Sequence, residues 1–180
     1  MTNVERSIQR YRTALADIEK ARAAWPDLRE TLVHTLESVS RSCGITWTVE
    51  VNEVYTHRES VVANLGRRPS PFQFNPDAAY NRLMQNDRQL MKEHGALIFS
   101  QLPNGAVSAW MHLPACEGMT AEDAPTVEPL GDWSIEDVDA SAIDRTISAF
   151  FDRLAKWEHD EATSTDPIGF RFGAGEEGEG

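Results

Sequence analysis

The sequence predicts an α+β fold, an antiparallel sheet of about four to five strands packed against helices, with an N-terminal helical hairpin and a C-terminal amphipathic helix. Three observations carry this. Apolar residues recur at helical spacing over the first 43 positions and again from Ile143 to Trp157. Between them "ITWTVEV" alternates with period two. The stretch "ALIFSQLPNGAVSAWMHL" then reads as two strands around a tight turn. Hairpin-linked strands with helices before, between and after them fit an antiparallel sheet covered on one face.

In chain order, Val4, Ile8, Tyr11, Leu15 and Ile18 alternate spacings of four and three. Trp25 keeps the same seven-residue repeat, and Arg22 interrupts it. "WPDL" restarts the chain, because Pro26 suits a first helical position and Asp27 the positive end of a helix dipole. Leu28, Leu32, Leu36, Val39 and Cys43 form the second stripe, and Gly44 stops it. Two helices joined so tightly predict an antiparallel hairpin. The same seam can instead pair with another copy of the chain, making a homodimer through the N-terminal helices.

Ile45, Trp47, Val49 and Val51 face one way along the first strand, and Thr46, Thr48 and Glu50 the other. "SVVANLG" (Ser60–Gly66) is the second strand, reached through the polar turn "THRE". "RRPSPFQFNP" is too rich in proline for regular structure. Asn75-Pro76 starts a helix that Gly95 ends, with Tyr80, Leu83, Met84, Leu90 and Met91 as its stripe. In the hairpin that follows, a three-residue Pro103-Asn104-Gly105 loop with a bulge pairs Ile98 with Trp110. That register sends Leu97, Phe99, Val107, Ala109 and Met111 to the core. It leaves Ser100, Ser108, Trp110 and His112, with Ile98 and Leu102, on a mixed face.

Residues 114–140 form an acidic connection in which "TVEPL" or "DWSIE" supplies a short strand or docked loop anchored by Trp133. Ser141 caps the last helix, 141–160, buried through Ile143, Ile147, Phe150, Leu154 and Trp157. One extended piece follows at Ile168–Phe172. The organisation is thus a single domain over 1–172 and a disordered acidic tail over 173–180.

The net charge of −12 is uneven. Residues 1–60 hold eight basic and nine acidic side chains, residues 61–115 five and three, and residues 116–180 four and seventeen. A surface so acidic repels nucleic-acid phosphates and favours a basic protein partner. No apolar run is long enough for a membrane span, and no secretory leader is visible. Only Cys43 and Cys116 are present, which fits a cytoplasmic chain with reduced thiols. Cys43 falls on a core stripe, and Glu117 beside Cys116 opposes thiolate formation, so neither reads as a nucleophile.

"GAGEEG" (Gly173–Gly178) matches a dinucleotide-binding pattern in letters alone, because two glutamates stand where a pyrophosphate would lie and the chain stops two residues later. Imidazole and carboxylate cluster only in "HRE" (His57–Glu59) and "EHDE" (Glu158–Glu161), and Asp137 and Asp139 form an acidic pair. Arg67-Arg68 is the one basic spot, able to grip a carboxylate or phosphate or to pair with the acidic C-terminal third. In element order, size and acidity the chain looks similar to bacterial secretion chaperones, a likeness of architecture.

The expectation is a non-catalytic binding protein of adaptor, chaperone or inhibitor type, without cofactor or metal. It engages a protein partner, with neither nucleic acid nor membrane, through Arg67, Arg68, Trp110, His112 and Trp133. Two alternatives stand beside it: a small metal-dependent hydrolase using His57/Glu59 or Asp137/Asp139, and an inhibitor whose carboxylates mimic nucleic acid.

Overall fold

The structure, a computed structural model, describes residues 2–55, 58–73, 89–93, 95–116 and 127–163. It contains helix α1 (Asn3–Cys43), strands β1 (Thr48–Tyr55), β2 (Arg58–Asn64), β3 (Arg68–Gln73), β4 (Gln89–Glu93), β5 (Ala96–Gln101), β6 (Val107–His112), β7 (Ala115–Cys116) and β8 (Val127–Trp133), a 3-10 turn (Ile135–Asp137) and helix α2 (Ala140–Thr163). A five-stranded antiparallel sheet runs in the order β1-β2-β5-β6-β8, so the α+β class expected from sequence is what the chain adopts.

The N-terminal hairpin is not formed. α1 is one helix of 41 residues with Pro26 inside it. Proline costs about 3 kcal/mol in a helix interior because it removes a donor and crowds the carbonyl four residues back. Trp25, Leu28, Leu32 and Leu36 lie in phase on both sides of it and are all buried. At about 1.5–3 kcal/mol each, their burial outweighs that cost only if the helix continues straight through. Cys43 is correspondingly exposed at the helix end rather than set in a core stripe.

A second sheet, β3-β4-β7, continues the first. Ser60 stands opposite Ser100, Leu65 N–H donates to Gly95 O, and Arg68 stands opposite Lys92 at the same offset. Ala96 pairs with His112 and Lys92 with Cys116, again without slip. Three strand paths therefore run through both sheets and bend together at Leu65, Gly95 and Pro114. A Cβ on Gly95 would sit 2.9 Å from Pro114 Cγ and 3.0 Å from Leu65 Cδ1, so the bend needs glycine there.

These strands correct two expectations. "RPSPFQ" is a strand despite two prolines, which its position at the sheet edge tolerates, since only β4 flanks it. Gln89–Glu93 is a strand paired with β3, not the end of a helix. The start expected for that helix at Asn75 lies outside the described residues. So do the turn residues Thr56 and His57, the piece Ile168–Phe172 and the tail 173–180. "VEPL" forms part of β8, in line with a short strand in the acidic connection.

The core lies between one face of the five-stranded sheet and both helices. Val61, Ala63, Leu97, Phe99, Val107, Ala109 and Met111 meet Trp25, Leu28, Leu32 and Leu36 of α1 and the expected stripe Ile143, Ile147, Phe150, Leu154 and Trp157 of α2. Trp47 joins the layers: its Nε1 donates to Leu36 O at 2.9 Å and its ring stacks on Phe151 at 5.4 Å. Helix α2 is capped by Asp139, whose Oδ1 accepts from Ala142 N–H, and Ser141 lies inside the helix rather than capping it.

Candidate protein-interaction site

The β5–β6 hairpin takes the bulged register. Ile98 pairs with Trp110, Gly105 adopts φ 81°, and the loop closes through Leu102 N–H to Ala106 O and Gly105 N–H to Leu102 O. The register fixes which side chains share the face turned away from the helices. Val62, Ile98, Trp110 and Pro129 stand opposite one another in sequence across β2, β5, β6 and β8. They make one apolar row across four strands.

Two rows flank it. On one side run Asn52, Ser60, Ser100, Ser108 and Asp132, with the Ser60 and Ser100 hydroxyls 2.8 Å apart and Ser108 buried at 1% exposure beneath the surface that the others form. On the other run Thr48, Asn64, Ala96, His112 and Val127. Glu50 ends the apolar row on β1. The three rows thus carry acids at both sheet edges, Glu50 and Asp132, and no lysine or arginine. Val62, Ile98, Trp110 and His112 are half-buried, Val127 is 48% exposed, and none of them belongs to the core that the helices close. His112 Nδ1 lies 2.8 Å from Leu113 O, which fixes its ring on this face.

Trp133 does not join this surface. It stands opposite Val107, on the core side, and its ring lies over Gly131. The structure separates it from Trp110 by the thickness of the sheet, because the bulge between Ala109 and Trp110 leaves an even-odd offset that sequence spacing does not reveal.

Arg67 and Arg68 are also set apart from Trp110. Arg67 Nε pairs across the strands with Glu93 at 2.9 Å. Arg68 reaches Glu158 of α2 at 4.0 Å, an ion pair with the acidic C-terminal third. Lys92, opposite Arg68, also pairs with Glu158 and lies 5.6 Å over the Trp157 ring. The buried Lys92 cation is the member of this cluster that sequence reasoning missed. The signal is faint, one lysine among apolar neighbours in "QLMKEHG".

Of the residues named for a metal-dependent hydrolase, Glu59, Asp137 and Asp139 each bind other groups of the fold. Glu59 accepts from Trp25 Nε1 at 3.0 Å and from Arg29 at 2.8 Å. Burial raises its pKa, but these two hydrogen bonds and the Arg29 charge outweigh burial and hold it below the usual carboxylate value. Asp137 accepts from Ser134 Oγ at 2.6 Å, while Asp139 caps α2. Among the described residues no three His, Cys, Asp or Glu side chains converge as a metal set would require. His57 lies outside those residues.

Compared with family models, curated proteins and solved structures, the chain matches none. Among the described residues no helix is long and apolar enough to cross a membrane.

Proposed function

We propose that this chain is a non-catalytic, acidic binding protein of the cytoplasm, of adaptor, chaperone or inhibitor type, that holds a basic protein partner on the sheet face turned away from α1 and α2. The observation that supports this is the row Val62–Ile98–Trp110–Pro129, apolar across four strands and closed by neither helix. A half-buried tryptophan at the centre of an apolar strip, with the accessible side chains of Asn52, Ser60, Asn64, Ser100 and Asp132 around it, has the make-up of an interaction hot spot. Glu50 and Asp132 at the rims favour lysine or arginine on the partner, and the overall charge of −12 steers its approach.

The experiment is quantitative capture of a cellular partner by the full chain and by its Trp110→Ala variant. The reading expects capture that weakens with salt and is lost in the variant while the fold is kept. Equal capture by both proteins, or binding indifferent to salt, removes it.

A further inference from the structure

Every residue from Thr2 to Asp17 is exposed, among them Val4 (67%), Ile8 (47%), Tyr11 (65%) and Leu15 (42%). These four hold the spacing four, three, four and so lie on one stripe of the helix. Residues 3–16 span about 21 Å and project beyond the fold. An isolated helix of this length is marginal in water. Yet the sequence secures its free end with a full capping box, Glu5 N–H donating to Thr2 Oγ1 at 3.2 Å and Thr2 N–H to Glu5 Oε2 at 2.6 Å. A helix stabilised at its tip and left bare along an apolar seam calls for a cover.

We propose that the cover is a second copy of this chain, packed antiparallel through residues 3–18 with Ile8 of one copy against Tyr11 of the other. The flanks of the seam decide the occupant. In heptad terms Ile8 and Leu15 are a positions, Val4, Tyr11 and Ile18 are d positions, Glu5 and Arg12 are e positions, and Ser7 and Ala14 are g positions. Antiparallel helices place a against d, e against e and g against g. Setting Ile8 against Tyr11 of the second copy also sets Val4 against Leu15, so two-fold symmetry covers the four most exposed seam residues of each copy. The same register brings Glu5 beside Arg12 of the second copy, twice. The g flank brings only serine and alanine together, letting the helices approach closely. A parallel pair would instead set Ser7 beside Arg12 and Ala14 beside Glu19, with no ion pair.

At the base of the arm, Asp17, Ile18, Lys20 and Ala21 line an open cavity of about 450 Å³ with Asn104–Ala106 and Ser134–Glu136, where Lys20 pairs with Glu136 at 2.6 Å. Two heptads are short for a coiled coil, so the dimer is weak and its population rises with protein concentration.

Sedimentation equilibrium of the full chain over a concentration series is the test. A monomer–dimer equilibrium is expected, abolished in Ile8→Asp/Tyr11→Asp with the circular dichroism and thermal midpoint of dilute, monomeric wild type, since both residues are exposed. Arg12→Glu should weaken the dimer about fivefold, and Arg12→Lys should largely keep it. With Cys43→Ser and Cys116→Ser in place, Ile8→Cys/Tyr11→Cys should cross-link into dimers under oxidation and Ile8→Cys alone should not. A protein monomeric at every concentration overturns the proposal. So does a dimer that survives the double aspartate variant, or one that Ile8→Cys alone cross-links efficiently.

Discussion

Arg68 and Lys92 stand directly opposite each other on neighbouring strands, and both meet the carboxylate of Glu158 of α2. Like charges in this position repel. Lys92 is only 6% exposed, so its charge depends on Glu158 and the Trp157 ring for compensation. At 4.0 Å, Arg68 gains Coulomb attraction but no hydrogen bond, and its Nε and Nη2 are buried without an acceptor. Glu158→Gln should therefore destabilise the fold by about 3 kcal/mol in urea unfolding. Lys92→Met added to that variant should recover much of the loss. A cost below about 0.5 kcal/mol would show that the pair does not hold α2 to the bent sheet.

The α1 helix is tied to the sheet by Glu59, which accepts from the buried indole of Trp25 and from Arg29. Glu59→Ala leaves the Trp25 donor without its partner and should cost about 1–3 kcal/mol. Acid should act at the same joint. The pKa of Glu59 in the fold is lowered from 4.5, as is that of Glu128, where hydrogen bonds from Arg153 at 3.0 and 2.7 Å outweigh burial. Both carboxylates bind protons more readily when unfolded. Their contribution is thus complete above about 4.5 and is lost as pH falls through their folded values. Denaturant titrations between neutral pH and pH about 3 should show stability level at first, then falling. Glu59→Gln should flatten that fall, and an unchanged pH profile in the variant would refute the assignment.

Gly105 is where the hairpin tip meets the helix. It holds φ 81°, and a Cβ there would lie 2.5 Å from Ala21 Cβ and 3.3 Å from the Ala21 carbonyl carbon. Arg22 closes the same joint by donating to Pro103 O through both Nε and Nη2. Gly105→Ala meets strain and overlap together and should cost about 2–4 kcal/mol in thermal or denaturant unfolding. The prediction fails if the variant unfolds at the wild-type midpoint.

Much of this architecture was legible because the local signals agreed with the global ones. The Pro103-Asn104-Gly105 turn and the stripe from Ile143 to Trp157 each placed the right side chains on the core, and the alternation in "ITWTVEV" did so for Ile45, Trp47 and Val49, whereas Val51 is 46% exposed and the strand begins at Thr48. Pro26 misled because its local preference for a helix start is weaker than the burial of residues on both sides of it. The β3 and β4 strands were hidden for the opposite reason. Two prolines and a helical spacing masked a pairing that depends on partners more than fifteen residues away. At the site, Trp110 and His112 fell on one face as their spacing implied, but Trp133 crossed to the other through a bulge. Pairing of Arg68 with the acidic C-terminal third was legible in the charge distribution, but its meeting with Lys92 on Glu158 joins three elements and could not be read from any one of them.

The central claim is that Trp110 belongs to a surface used for binding and not to the packing of the fold. Its cross-strand neighbours, Ile98 and Pro129, stay paired through the backbone without it. Trp110→Ala should cost no more than about 1.5 kcal/mol and keep a single cooperative unfolding transition. The most direct measurement is partner retention by wild type and Trp110→Ala side by side, at low and high salt, with thermal midpoints recorded on the same samples. The account predicts that retention collapses in the variant, weakens in wild type as salt rises, and does so with the midpoints nearly unchanged. A variant that unfolds, or one that retains the same partner as well as wild type does, would contradict it.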